Sequence, residues 1–173
     1  MAVGRINLKK VVMDTSPLFS AMTLSYIRSN PRERNTVLQR NRLEKYFQDY
    51  PDKERDFLQL FERIQTVLTT SHVIGEIQGL QKLTGRSQRE FWLSSLFILK
   101  RKGIEENLLR LLDMNEENDK KELICTIGPT DAGLIALAQQ ERCVLLTDDG
   151  PLTSFARAQG VDCWLTRDIL GSA

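Results

Sequence analysis

The stretch CVLLTDDG at residues 143–150 decides the fold class, because a short apolar run there ends abruptly in a polar turn. Such a near-continuous run is typical of a strand that is buried on both faces of a parallel sheet. Residues 151–159 follow as a predicted helix, with Pro151 in its first turn and Gly160 after its end. Residues 161–165 are a predicted final strand. This alternation of strand and helix predicts a parallel sheet with right-handed crossovers.

The residues before this stretch extend the alternation to the front of the chain. Strands are predicted at residues 10–13, 66–70 and 122–127 from their apolar runs. Helices are predicted at residues 18–27, 40–50, 52–64, 71–83, 107–112 and 131–140 and from residue 87 onward, with Thr130 as the N-cap of the 131–140 helix. The sequence therefore predicts an α/β protein with a central, mainly parallel sheet of four to five strands and extra helices between the first strand and Glu76.

Length and composition indicate a single globular domain over residues 1–173, with residues 28–65 as a helical elaboration. The chain has 41% hydrophobic and 27% charged residues, and no apolar run approaches the roughly 18 residues that a membrane-spanning helix needs. The N-terminus carries no secretory signal pattern, so we expect a cytoplasmic protein without a membrane partner. Three widely spaced cysteines and a single histidine favour free, buried thiols over a zinc site.

Acidic residues lie at four of the predicted element boundaries. Asp14 ends the first strand, and Asp148 and Asp149 end the strand that begins at residue 143. Asp131 begins a predicted helix, and Glu76 lies near the start of another, beside its apolar stripe. In an open parallel sheet, ligands bind beyond the carboxyl ends of the strands. The map therefore allows these carboxylates to converge on one crevice.

Each acid also has a purely structural interpretation. Asp14 can form an Asx turn, Asp131 can complement a helix dipole, and the sequence from Asp148 to Gly150 is a good turn. Taken together, however, the carboxylates would repel one another, and a fold keeps such a cluster when a cation lies in it. All-oxygen ligands select Mg²⁺ or Mn²⁺, and such an ion among carboxylates suits phosphoryl chemistry.

Four short motifs carry a family resemblance. VVMDTS at 11–16, SHVIGEI at 71–77, TDAGLIALA at 130–138 and VLLTDDGPL at 144–152 resemble the PIN-domain family of metal-dependent ribonucleases, which includes the VapC-type toxins of toxin–antitoxin pairs. The resemblance implies a three-layer α/β/α fold and a Mg²⁺- or Mn²⁺-dependent endoribonuclease that hydrolyses phosphodiester bonds of RNA. It also implies two kinds of protein partner to test for, an antitoxin or other protein and a second copy of the chain in a homodimer.

The resemblance assigns roles to individual residues. It implies that the catalytic metal ligands are Asp14, Glu76, Asp131 and Asp149. Asp148 is an additional neighbouring acid and a weaker candidate for a metal ligand. Thr15 and Ser16 would be hydroxyls that orient Asp14 or a metal-bound water, and Thr147 would do the same for Asp149.

The charged residues are unevenly placed, although the net charge of the chain is only +1. One basic cluster, a candidate for the RNA path, comprises Arg28, Arg32, Arg34, Arg40, Arg42 and Lys45. A second cluster comprises Arg86, Arg89 and the run from Lys100 to Lys102. Either cluster can equally be the solvated face of a helix. RNA binding draws much of its affinity from phosphate contacts, so it has to rest on such local clusters here.

Two alternatives to a nuclease follow from the same residues. A catalytically silent module would keep the fold and bind RNA or a protein without cutting. A phosphatase with an aspartate nucleophile is disfavoured, because that chemistry needs an acid two residues after Asp14 and the chain has Ser16 there.

Overall fold

The architecture was obtained as a computed structural model, which describes residues 9–43, 51–101, 105–107 and 118–166. Among these residues, no helix is long and apolar enough to cross a membrane. Parts of two predicted helices, residues 44–50 and 108–112, lie outside the described residues.

Five parallel strands form one sheet within the described part of the chain. They are β1 (Lys10–Met13), β2 (Thr66–Thr70), β3 (Glu105–Asn107), β4 (Val144–Thr147) and β5 (Cys163–Leu165), in the spatial order β3-β2-β1-β4-β5. The central strand is β1, in which Val12 pairs with Leu68 on one side and with Leu145 on the other. The predicted α/β class and parallel sheet are therefore confirmed.

Eight helices surround this sheet in the described part of the chain. They are α1 (Thr15–Ser29), α2 (Arg34–Arg40), α3 (Pro51–Arg63), α4 (Ser71–Leu80), α5 (Gly85–Arg101), α6 (Asn118–Ile127), α7 (Pro129–Glu141) and α8 (Gly150–Ala158). A single 3₁₀ turn, Pro31–Glu33, connects α1 to α2. Counting only the described residues of this connection, three helices lie between β1 and β2, where the sequence predicts an elaboration.

The core lies between the sheet and the helices packed on it. The chain moves from β1 to β2 and β3 on one side, and then returns past β1 to β4 and β5 on the other. Right-handed crossovers in opposite directions place their helices on opposite faces of a sheet. Helix α7 packs on β1, β2 and β4, while α1 packs on α5 and also touches β4. The arrangement is compatible with the three-layer fold that we expected.

The predicted strand at residues 122–127 is wrong, because these residues are the last turns of α6. Leu123, Ile124 and Ile127 are half-buried, while Cys125 and Thr126 between them are exposed. This burial on one side has the spacing of a helix. In the sequence alone, however, an apolar run this short fits a helix and a strand equally well. Exposure of Cys125 also corrects the expectation that all three free thiols are buried.

Several predicted helix boundaries are also wrong. Helix α7 begins at Pro129 with Gly128 as its N-cap, so Thr130 is inside the first turn. Gly128 has a φ of +87°, a conformation that glycine adopts without a steric penalty, and it turns the chain directly from α6 into α7. Helix α4 ends at Leu80, because Gln81 is already extended. Asn107 belongs to β3, since it pairs with Thr70.

The predicted 40–50 helix also starts in the wrong place. Helix α2 ends at Arg40 instead of beginning there. Pro31 opens the 3₁₀ turn before α2, because a proline suits the first position of a helical turn. The polar segment at 30–34, interpreted from the sequence as a break, is therefore the start of helical structure.

Candidate functional site

The candidate site lies at the carboxyl edge of the sheet, between β1 and β4. The order of the strands reverses at this point, because β2 and β3 lie on one side of β1 and β4 and β5 lie on the other. Open α/β sheets bind ligands at such points. Asp14 follows β1 directly, and its backbone N–H donates to the carbonyl of Leu146 in β4 at 3.0 Å. Asp149 follows β4 two residues after Thr147. Strand pairing therefore brings the two segments side by side.

Asp14 is the most buried acid of the site. It is the N-cap of α1, and its Oδ1 accepts the N–H of Thr15 at 2.5 Å. Its Oδ2 accepts the hydroxyl of Thr147 at 2.5 Å, and Thr147 is fully buried. Burial raises the pKa of Asp14, the two hydrogen bonds oppose that rise, and the nearby charges of Glu76 and Asp149 add to it.

Glu76 joins three helices at the site. It lies on the exposed surface of α4. Its Oε2 accepts the hydroxyl of Thr15 in α1 at 2.6 Å, and its Oε1 accepts the hydroxyl of Thr130 in α7 at 3.0 Å. Both carboxylate oxygens are thereby held by hydroxyl donors from other elements.

Asp149 is fixed in a comparable way on the other side. It is the N-cap of α8, where its Oδ1 accepts the N–H of Leu152 at 3.0 Å. Its own N–H donates to the hydroxyl oxygen of Thr147 at 2.9 Å. Thr147 therefore links the backbone of Asp149 to the side chain of Asp14.

Asp131 lies in the first turn of α7 and is half-buried. Burial, and then repulsion from Asp14, Asp149 and Glu76, raises its pKa to about 6. Two of these partners, Glu76 and Asp149, also act on Asp14, so the four carboxylates form one electrostatically linked group. The structure brings together the four acids that the sequence analysis singled out.

The hydroxyl groups are arranged differently from the expectation. Thr15 orients Glu76 through its side chain and Asp14 through its N–H. Thr147 holds the carboxylate of Asp14, whereas for Asp149 it meets only the backbone. Thr130 was assigned as an N-cap, although it donates to Glu76. The sequence offered one sign that Thr130 belongs to the site, which is its position directly before Asp131.

Two other predicted residues lie beside the cluster. Ser16 is exposed and lines a neighbouring cavity, which Asp148 also lines.

In the described ranges, no three Asp, Glu, His or Cys side chains are arranged as they stand to hold one metal ion. Two of the four acids, Glu76 and Asp149, are exposed. A change of their rotamers would not disturb the core.

The first basic cluster divides between two environments. Arg28 pairs with Glu62 at 3.1 Å and Arg34 pairs with Glu54 at 2.7 Å, both acids of α3. Arg42, by contrast, lines the same cavity as Ser16 and Asp148, next to the acids. Lys45 and Lys102, from the two clusters, lie outside the described residues.

Comparison with known protein families finds no match for this chain, and comparison with curated proteins finds no similar sequence.

Proposed function

We propose that the protein is a Mg²⁺- or Mn²⁺-dependent endoribonuclease with a PIN-like fold, as its motifs imply. The observation that carries the proposal is the convergence of Asp14, Glu76, Asp131 and Asp149, from four separate elements, at the point where the strand order reverses. Open α/β sheets place ligand sites at such points. The motif resemblance adds the reaction class, which the geometry by itself leaves unnamed.

A divalent cation suits the electrostatics of these residues. Burial, and then repulsion from neighbouring carboxylates, raises the pKa of Asp14 and Asp131, which means that their ionised forms are disfavoured at this site. A cation between them would reverse that effect, and an all-oxygen set of donors favours Mg²⁺ or Mn²⁺. Asp14, Glu76, Asp131 and Asp149 would hold the ion, which requires the exposed side chains of Glu76 and Asp149 to turn toward it.

The threonines would keep the site in position. Thr15 and Thr130 each hold one oxygen of Glu76, and Thr147 holds Asp14, so three hydrogen bonds join all four segments. The hydroxyl of Thr147 therefore holds the carboxylate of Asp14 in place before a ligand binds, whereas Glu76 would exchange its threonine hydrogen bonds for the ion. When bound, a divalent ion lowers the pKa of a water and neutralises charge on a phosphodiester. The carboxylates orient the reacting groups, and no side chain forms a covalent bond to RNA.

Cleavage of a fluorescent single-stranded RNA in Mg²⁺ or Mn²⁺ tests this proposal. We expect cleavage that EDTA stops, and a loss of at least about 100-fold in Asp14→Asn and in Asp149→Asn. Both residues are N-caps, and asparagine caps helices as well as aspartate does, so these variants should fold. Asp162→Asn is the matched control, because Asp162 is an exposed acid before β5, at the opposite edge of the sheet.

Two results would contradict the nuclease. Binding of RNA without any cleavage would instead favour the catalytically silent module. Equal loss of activity in Asp162→Asn would show that the substitutions act through net charge and not through the site.

A further inference from the structure

A cavity of about 540 Å³ opens at the edge of the sheet that carries the acid cluster, although none of the four acids lines it. We call it the Arg42 cavity. Among the side chains that line it are Ser16, Phe19, Arg42, Leu80, Lys82 and Asp148. Ser16 lies two residues after Asp14, and Asp148 lies directly before Asp149, so the cavity and the acids share one edge of the sheet.

The walls of the Arg42 cavity differ in chemistry. Leu80, which is 45% exposed, gives it an apolar surface, while Phe19, which also lines it, is only 3% exposed. Arg42 and Lys82 are both exposed and bring two positive charges, whereas Asp148 brings one negative charge. A ligand that fits all three needs a flat apolar part, an anionic part and a hydrogen-bond donor. A nucleotide has each of these, in its base, its phosphate and its base N–H groups.

Buried contacts hold the two cationic segments together. Asn41 is 5% exposed, and its side-chain amide donates to the hydroxyl of Thr23 at 3.3 Å. Its Oδ1 accepts the backbone N–H of Lys82 at 3.2 Å. The turn after α2 and the segment after α4 are therefore fixed against each other and against α1. The side chain of Lys82 meanwhile donates to the carbonyl of Gly79, an exposed contact that a phosphate can replace.

Arg42 occupies a backbone conformation that arginine rarely adopts. Its φ is +56°, in the left-handed region, where it ends α2 with its N–H on the carbonyl of Gln39 at 3.1 Å. Helices usually end in this conformation with glycine, because a side chain is disfavoured there. Arg42 therefore places a large cationic side chain at a strained position in the wall of this cavity. Strained residues cluster at functional sites, so this side chain is a candidate for contact with a ligand.

We propose that the Arg42 cavity binds one unpaired nucleotide of an RNA strand, next to the phosphate that faces the acid cluster. The base lies on Leu80, and Arg42 and Lys82 contact the adjoining backbone phosphates. This inference rests on the proposed nuclease for the RNA itself, and it adds that the strand must be single there. It also assigns substrate binding to Lys82, which belongs to neither basic cluster of the sequence.

The two left-handed arginines of the chain provide a matched pair of variants for the test. Arg42→Gly removes the guanidinium and relieves the backbone, so its melting temperature should be kept or raised. Arg142→Gly is the control, because Arg142 is also exposed, has a φ of +51° and ends a helix, α7, at the opposite edge of the sheet. Both variants lose the same charge and gain the same freedom. Arg142 also lines a cavity, but that cavity lies at the edge of the sheet away from the acids, so the two variants compare two locations.

The measurement is equilibrium binding of a short fluorescein-labelled single-stranded RNA in EDTA, where no cleavage occurs, at several salt concentrations. We expect Arg42→Gly to weaken binding roughly tenfold and to lower the salt slope by about 0.7, as for one lost phosphate contact. Arg142→Gly should stay within about twofold of the wild type. A duplex of the same sequence should bind more weakly than the single strand.

Equal binding by the two glycine variants, equal binding of duplex and single strand, or no binding by the wild type would each overturn this inference. The outcome is separable from that of the nuclease proposal. Cleavage together with unaffected binding by Arg42→Gly removes the Arg42 cavity alone. Binding that depends on Arg42 without cleavage removes the nuclease and keeps the cavity as an RNA site.

Discussion

The side chains of Thr147 and Asp14 meet at 2.5 Å, although 133 positions separate them in the chain. The contact runs between the ends of the paired strands β1 and β4, and Thr147 is fully buried. Because the same hydroxyl accepts the N–H of Asp149, one threonine sets the position of two of the four acids.

Thr147→Val should therefore destabilise the protein and disturb the site. Valine has the same shape, but it leaves Oδ2 of the buried Asp14 carboxylate without its donor, so that only the N–H of Thr15 remains. Loss of a hydrogen bond to a charged group costs about 1.5–3 kcal/mol, or a fall in melting temperature of about 3–12 °C at this chain length. Thermal unfolding of the variant and the wild type measures this fall in melting temperature. Thr147→Ser keeps the hydroxyl and should recover most of the loss, and failure to recover would mean that packing of the methyl group matters more.

Much of the sheet was predictable from the sequence, because its strands are short apolar runs that end in polar turns. β1, β2 and β4 and the acids that follow β1 and β4 were found in this way. Strand pairing was the step that predicted their proximity, since the carboxyl ends of parallel strands share one edge. That rule covered Asp14 and Asp149. Asp131, by contrast, was placed by its helix N-terminus, and the role of Glu76 came from the motif resemblance.

The errors have two physical sources. Residues 122–127 form an amphipathic helix whose few apolar positions also fit a strand. The role of Thr130 depends on the distance to Glu76, 54 positions away, which local patterns do not encode. The Arg42 cavity was missed for the same reason, because Arg42 and Lys82 belong to distant segments that Asn41 joins. Long-range side-chain contacts of this kind are visible only in the folded chain.

Asp131→Asn should stabilise the metal-free protein in a manner that depends on pH. The pKa of Asp131 is about 6 in the folded protein and 3.8 as its ordinary value, so between these values the folded state holds more protons than the unfolded state. Stability contributed by this group therefore falls as the pH rises through that window, and the cost of the charge is complete above pH 6.

Asparagine removes this cost. Because Asp131 is only half-buried, solvent screening limits the gain to about 1 kcal/mol, or roughly 2–4 °C in melting temperature at pH 7.5. Melting in EDTA at a series of pH values should show the difference between Asp131→Asn and wild type shrinking toward pH 4.5. A difference that is constant with pH would contradict the raised pKa of Asp131.

Phe91 should be the aromatic residue of α5 that matters most for stability. It is fully buried, and its ring meets those of Phe19, Tyr26 and Trp92 at centroid distances of 6.3, 5.9 and 5.5 Å. Phe91→Ala should cost about 3–5 kcal/mol, a fall in melting temperature of about 6–20 °C. Phe97→Ala, on the same helix but 68% exposed, should change the stability by less than about 0.5 kcal/mol. Similar losses in both variants would place Phe97 in a packed environment.

Binding of a divalent cation should stabilise the fold. A ligand that binds only the folded state at about 100 times its Kd adds about 2.7 kcal/mol, which for a chain of this size raises the melting temperature by roughly 5–11 °C. Mg²⁺ and Mn²⁺ are the ions to titrate, with EDTA as the reference, in a thermal-shift measurement.

Asp14→Asn separates a metal ligand from a structural acid in that titration. Asparagine can still cap α1 and accept the hydroxyl of Thr147, and it removes a charge that Glu76 and Asp149 repel, so the metal-free variant should melt near the wild type. Its response to the cation should nevertheless be largely lost, while Asp162→Asn should respond like the wild type. If the metal-free Asp14→Asn protein unfolds far below the wild type, the carboxylate is structural. If it keeps the full response to the cation, the ion binds elsewhere.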